Sequence, residues 1–303
     1  MTTRQRCSML AAALLAVLLM MAAAAGRAGA APMTPMPTPK RIVTLAPSCA
    51  EIVGGLGLGD AIVGVTSYTD WPPRTKSLPQ VGSYVNVNVE AVVALRPDLV
   101  VATDDGNPAA ALRRLQRVGV RVVTLRLRDY DDIQRSILSL GAMTGRDAEG
   151  RRAVAEMRRV AACVAERTRT SARPRVLFAY QLGPIVSAGK GTFTDQLLAM
   201  SGADSITKDV VQSYPHMTIE SIVARAPEVI VVSSMNPATD ADRWKAWLKK
   251  WPPLPAVRNG RVHLVDSTNL DRPSQRIVHG LTLLARTIHP ELFAHGECTA
   301  ALP

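Results

Sequence analysis

The residues of this sequence best suited to chemistry are aromatic and polar side chains gathered in short loops. The first loop reads Ser67-Tyr68-Thr69-Asp70-Trp71-Pro72-Pro73. It puts a Tyr and a Trp together in a chain that has only five Tyr and four Trp. Aromatic faces pack on flat or apolar ligands at low entropy cost, and the two prolines stiffen the loop. Three further loops read Gly82-Ser83-Tyr84-Val85-Asn86, Tyr180-Gln181-Leu182-Gly183 and Ser213-Tyr214-Pro215-His216. Ser48 follows the first predicted strand. The last loop, Asp271-Arg272-Pro273-Ser274-Gln275-Arg276, opens a helix. Arg272 there suits a phosphate or carboxylate, which a helix start also favours. The candidate ligand-binding residues are Ser48, Tyr68, Asp70, Trp71, Tyr84, Gln181, Tyr214 and Arg272.

Nothing comparable points to catalysis. Residues 183–190 (GPIVSAGK) look like a P-loop, but the spacing is one residue too long. Gly191 also stands where Ser or Thr would bind Mg²⁺. There is no GxSxG, HExxH or CxxC, and the five His, at 216, 263, 279, 289 and 295, are scattered. No metal site and no cofactor are expected, and the chain reads as a binding protein rather than a small exported α/β enzyme.

The elements that must position these loops alternate strand and helix. Residues 41–44 (RIVT) predict a strand, Glu51 leads a predicted helix ending in the glycines of 54–59, and residues 62–66 predict a second strand. Residues 88–102 (NVEAVVALRPDLVVA) and 218–232 (TIESIVARAPEVIVV) echo one another at an offset of 130. In each a short helix stops before a Pro, and an acidic residue leads into an apolar run. A later strand entered through Gly119 or Gly260 follows each copy. The echo predicts two related lobes, with Tyr84 and Tyr214 at comparable places on opposite walls of a cleft. Between them, residues 147–170 are rich in helix formers. Val154, Met157, Val160, Ala161 and Val164 make one apolar stripe there. The expected organisation is a signal at 1–30, a proline-rich tether at 31–40, one lobe at 41–146, a linking helix at 147–171 and a second lobe at 172–303.

Arg4 and Arg6, the apolar run of 9–25 and Ala28-Gly29-Ala30 read as a cleavable secretory signal. Cys7 precedes the apolar run, so no lipid anchor is expected, and the mature chain is expected in the periplasm. Loss of Arg4, Arg6 and Arg27 lowers the net charge from +11 to +8. The basic residues are spread among acids, and no basic aromatic motif for nucleic acid is present. Cys49, Cys163 and Cys298 remain; one pair could form, and spacing does not choose it.

Six stretches carry a family resemblance: residues 41–53 (RIVTLAPSCAEIV), 64–73 (GVTSYTDWPP), 81–102, 187–203 (SAGKGTFTDQLLAMSGA), 217–232 and 254–266 (LPAVRNGRVHLVD). In this order the chain resembles the periplasmic binding proteins that serve cobalamin, haem and ferric-siderophore importers. The resemblance implies an α/β fold of two Rossmann-like lobes joined by one long helix, with ligand held between them. It implies a partner, an ABC importer with a transmembrane permease dimer and ATPase subunits, met by a monomeric receptor. Glu90 and Glu220 fall at the motif positions that dock onto such a permease, one carboxylate per lobe. The residues 67–73 look most like those of cobalamin receptors, with Tyr84 standing in for an aromatic usual at its loop. Thr268, Asn269 and Leu270 depart from that pattern, and Arg272 keeps it. Haem is the alternative, with Tyr68, Tyr84, Tyr214 or His216 as axial ligand, and ferric siderophores are a third.

Overall fold

The computed structural model describes residues 37–181, 184–249, 253–293 and 296–302. The expected signal, most of the tether, Leu182, Gly183 and His295 lie outside them.

The β-branched runs become short parallel strands. In the first lobe these are β1 (Ile42–Thr44), β2 (Ile62–Gly64), β3 (Leu99–Thr103) and β4 (Val122–Leu125), in the order β2-β1-β3-β4. Helices α1 (Pro47–Val53), α2 (Val89–Ala94), α3 (Ala109–Arg117) and α4 (Tyr130–Met143) connect and cover them. The second lobe has β5 (Arg175–Ala179), β7 (Asp204–Ser205), β9 (Val229–Ser234) and β10 (Val262–Asp266), in the order β7-β5-β9-β10. Each sheet runs second strand, first, third, fourth, so the two have one topology. A small antiparallel ribbon, β6 (Ile185–Val186) with β8 (His216–Met217), adds to the second lobe. Its helices are α6 (Phe193–Met200), α7 (Ile219–Arg225), α8 (Pro237–Leu248), α9 (Pro255–Arg258) and α10 (Ile277–Ile288). Every residue of β3 and β9 is buried, as parallel strands covered on both faces require.

One 22-residue helix joins the lobes, labelled αL here (Asp147–Thr168). It spans about 33 Å at 1.5 Å per residue. Val154, Met157, Val160 and Val164 are buried along it, and Ala161 is partly so. The helix packs against α4 on one side and α10 on the other. A single apolar cluster therefore runs from Ile42 and Ile52 through Met157 to Phe178 and Leu281. Opening the lobes widely would break that cluster.

The echo is a built unit. Asn88 and Thr218 cap α2 and α7 through the amides of Ala91 and Ser221, at 2.9 and 3.3 Å. Each helix ends in a left-handed residue that is not glycine, Arg96 (φ 46°) or Ala226 (φ 44°), just before the proline. Asp98 then accepts the backbone amides of Lys40 and Arg41 at 2.8 and 3.1 Å, and Glu228 accepts that of Arg175 at 2.9 Å. The Arg41 and Arg175 side chains donate back to the carbonyls of Leu95 and Ala226. The acidic residue after each proline thus anchors the first strand of its own lobe.

One local expectation is corrected. The first helix starts at Pro47, and Glu51 lies in its interior, 1% exposed. Its charge faces partners from the far lobe, so it is not a helix-start carboxylate. The pairing that spacing left open is decided: Cys163 on αL is bonded to Cys298 in the tail, and Cys49 is free and buried.

Candidate ligand-binding cleft

Loops at the carboxyl ends of both sheets enclose an open cleft of about 840 Å³. This edge of an open parallel sheet is where connections diverge and leave room for a ligand. Ser48 contributes from the start of α1, Ser67 and Tyr68 from after β2, Thr103 from the end of β3 and Asp105 from just after it. The second lobe supplies Tyr214, Met235 from after β9, and Asp271 and Arg272 from after β10.

Five of the eight expected residues meet in this space: Ser48, Tyr68, Tyr84, Tyr214 and Arg272. Tyr84 and Tyr214 stand 130 residues apart, the offset of the echo, so the cleft has an aromatic at the same position of each lobe. Asn107 fixes the first of them. Its amide donates to the carbonyls of Tyr84 and Leu45 at 2.7 and 2.8 Å. The Tyr84 hydroxyl donates to the Asp105 carbonyl. Gly106, with φ 92°, leaves space for the ring, which a Cβ there would strike. Tyr214 stands edge-on to Tyr180 at 5.8 Å, and the Tyr180 hydroxyl is bonded to Thr194 at 2.7 Å. Burial pushes both the Tyr84 and Tyr214 hydroxyls up, and the Asp105 charge adds to it.

Asp70, Trp71 and Gln181 do not line the cleft. Asp70 is turned onto Arg272, with which it forms an ion pair. Trp71 lies beneath the Arg276 guanidinium, 4.9 Å from ring centre to carbon, and against Gly54, where a Cβ would come within 2.5 Å of the ring. Gln181 bridges to Val186 and donates to the Pro184 carbonyl at 3.3 Å. Arg272 reaches the cleft with its charge already engaged. It faces Asp70 and, at 3.3 Å, the buried carboxylate of Glu51. Glu51 also accepts the Ser274 hydroxyl and lies 3.6 Å from Arg276, while its carbonyl accepts Gln275 at 2.8 Å. Burial pushes the Glu51 carboxyl up, against these partners. This network joins the two lobes at the base of the cleft.

Sequence reasoning missed Asp105, Asp271, Arg128 and Lys190, all of which line the cleft. Asp271 lies in the loop noticed for Arg272, and Lys190 ends the stretch rejected as a P-loop, while the loops of Asp105 and Arg128 follow strands but lack the aromatic clustering of the others. Arg128 pairs with Asp104 at 2.8 Å. Asp271 accepts the Ser233 hydroxyl at 2.9 Å, and the surrounding walls push its carboxyl up to about 6. His216 is exposed in β8 and does not line the cleft. Among the described residues no three His, Cys, Asp or Glu are grouped to hold a metal ion. Glu90 and Glu220 are both exposed in the first turns of α2 and α7. Glu90 is held by Arg114 at 2.6 Å.

Two same-topology α/β lobes, a shared helix and an open cleft between strand ends define a two-lobed ligand-binding protein. The chain belongs to the periplasmic binding protein family, whose profile matches residues 42–268. Among its relatives, the vitamin B12-binding protein of Vibrio cholerae is 30% identical over 239 residues, covering 78% of this chain and 84% of that protein. The ABC transporter substrate-binding lipoprotein YvrC of Bacillus subtilis is 32% identical over 264 residues, covering 84% and 82%. In structure the chain is similar to the periplasmic vitamin B12 binding protein BtuF of Vibrio cholerae, with a TM-score of 0.74 and 26% identity over 84% of this chain and 98% of that one. It is also similar to the periplasmic haem-binding protein RhuT of Roseiflexus, with a TM-score of 0.76 and 26% identity over 84% and 99%. No described helix is long and apolar enough to cross a membrane.

Proposed function

We propose that this chain is the substrate-binding receptor of an ABC importer. It captures cobalamin or a related corrinoid in the cleft and delivers it to a permease dimer driven by ATPase subunits. It acts in the periplasm after losing its signal, as a monomer, and has no catalytic role. The observation that carries the reading is the cleft itself: about 840 Å³, open to solvent, with Tyr84 and Tyr214 offered by opposite lobes. A large ligand seats its apolar faces on such walls and leaves the rest in water. Glu90 and Glu220, one per lobe on the echo helices, suit a two-fold symmetric permease. The vitamin B12-binding relatives support the corrinoid as ligand.

A haem receptor is the second reading, favoured by the likeness to a haem-binding protein and by Tyr68, 71% exposed in the cleft. Charge favours the corrinoid. The Asp105 and Asp271 carboxylates accept hydrogen bonds from the amides of a corrinoid, whereas they repel the carboxylates of haem. Lys190 at the rim suits a single anionic group. Titration of the purified mature protein with cyanocobalamin, haemin and a ferric hydroxamate tests the proposal. Saturable cyanocobalamin binding is expected. Binding of haemin alone, with a Soret shift lost in Tyr68→Phe, would overturn it in favour of haem.

A further inference from the structure

Tyr68 combines two features that rarely coincide. Its side chain is 71% exposed in the cleft, and its backbone is left-handed, with φ 64°. A bulky residue holds that conformation only where its surroundings impose it, and such strain gathers at functional sites. The Ser67 amide ties the loop to the Gly82 carbonyl at 3.0 Å, and one guanidinium grips the turn itself. Arg272 Nη2 donates to the Tyr68 carbonyl at 3.0 Å and to Asp70 Oδ2 at 3.3 Å, while Nη1 donates to the other Asp70 oxygen. Both ends of the 68–70 turn are gripped by a single planar fork. Nη1 also faces Glu51 at 3.3 Å, and Glu51 is itself set by the Ser274 hydroxyl. The carboxylate that aligns the fork comes from α1, on the same lobe as the turn, while the fork comes from the far lobe.

We propose that Arg272 is a positioning residue and not a site for a ligand anion: aligned by Glu51, it clamps the 68–70 turn in its left-handed form and holds the Tyr68 ring on the cleft wall. Its charge is matched by two carboxylates, so little remains for an anionic ligand. Its donors are spent on a backbone carbonyl and on Asp70. The ring becomes a platform ordered before the ligand arrives, and affinity gains because that ordering is not repeated on binding. The inference rests on the cleft being the ligand site, as proposed above.

Arg272→Lys tests it. The lysine keeps a positive charge beside the buried Glu51, which would otherwise have Arg276 as its one charge partner, but one ammonium cannot bridge Tyr68, Asp70 and Glu51 together. Without ligand, amide hydrogen exchange over residues 67–71 should rise about ten-fold, the worth of one charged hydrogen bond, while β3 and β9 stay protected. Asp70→Asn, a milder surface change, should raise exchange in the same loop by less. With cyanocobalamin as probe, Tyr68→Ala and Arg272→Lys should each weaken binding about ten-fold, and the double variant should be no weaker than the worse single one. Unchanged loop exchange in Arg272→Lys overturns the proposal. So do additive losses in the cycle, because Arg272 would then contact the ligand on its own account. If the wild type does not bind cyanocobalamin, the corrinoid reading fails, and the ligand-free exchange measurement still decides the clamp.

Discussion

At the scale of residues, the cleft turns on where each charge finds its partner. Arg272 looked like a free cation beside a helix start, yet Glu51 and Asp70 neutralise it. Asp271 has the opposite fate, with one neutral hydroxyl as its hydrogen-bond partner and a carboxyl pushed up to about 6 by the walls around it. The ordinary value, kept in the unfolded chain, is 3.8. Between these values the folded state holds a proton that the unfolded state has released. Stability owed to this group therefore falls as pH rises from about 4 to 6 and is level above that. Thermal melts of wild type and Asp271→Asn from pH 4 to 7 should converge at the acid end and separate, with the variant the more stable, toward pH 6. A constant difference across that range would show that Asp271 does not titrate there. Such a carboxyl could not be singled out in sequence, because its enclosure comes from β9 and the cleft, not from its neighbours.

At the scale of elements, the 130-residue echo was plain in the pattern of helix, proline, acid and apolar run. The structure adds what the pattern is for. Asp98 and Glu228 hold the entry of β1 and β5, and a left-handed turn precedes each proline. The turn is filled by Arg96 and Ala226, not by glycine. An L-residue there costs about 1–2 kcal/mol, part of which glycine would return as lost chain entropy. Ala226→Gly should stabilise the fold by about 0.5–1 kcal/mol in denaturant melts, since Ala226 engages through its backbone, as acceptor for Arg175 and donor to Ile222. A loss of stability would mean that the Ala226 methyl carries packing that its surroundings do not suggest. The helix stripe of αL was equally legible, because a period near 3.6 needs no tertiary knowledge.

At the scale of the molecule, αL carries a tail laid along it. Glu297 faces Arg167 at 3.5 Å, Cys298 is bonded to Cys163, the Thr299 carbonyl accepts Arg159 at 2.6 Å, and the Ala301 amide donates to Glu156 at 2.6 Å. Each step moves the tail about one turn back along the helix. The disulfide closes a separation of 135 residues. Its loss in a Cys163→Ser, Cys298→Ser double variant should lower unfolding free energy by about 2–5 kcal/mol, read from denaturant titration under oxidising conditions. An unchanged midpoint would mean that the disulfide adds nothing to the fold beyond the tail's other contacts. The proposed docking belongs to this scale too. Charge reversal at Glu90 and Glu220 together should abolish uptake in a reconstituted importer and leave ligand affinity within two-fold of wild type, about the error of such titrations. Lost affinity in the isolated receptor would remove the docking role.

The sequence by itself determined the α/β alternation, the repeated unit, the linking helix and several of the loops that meet in the cleft. Each is written in local periodicity, in prolines and glycines, or in residues near one another along the chain. The tertiary structure alone decided that Cys163 joins Cys298, that Glu51 meets Arg272 across 221 residues, and that Asp70 and Trp71 face the network and not the cleft. Those outcomes depend on which side chains the two lobes bring within a few ångströms. A partner more than a hundred residues away leaves no mark in the spacing of either residue.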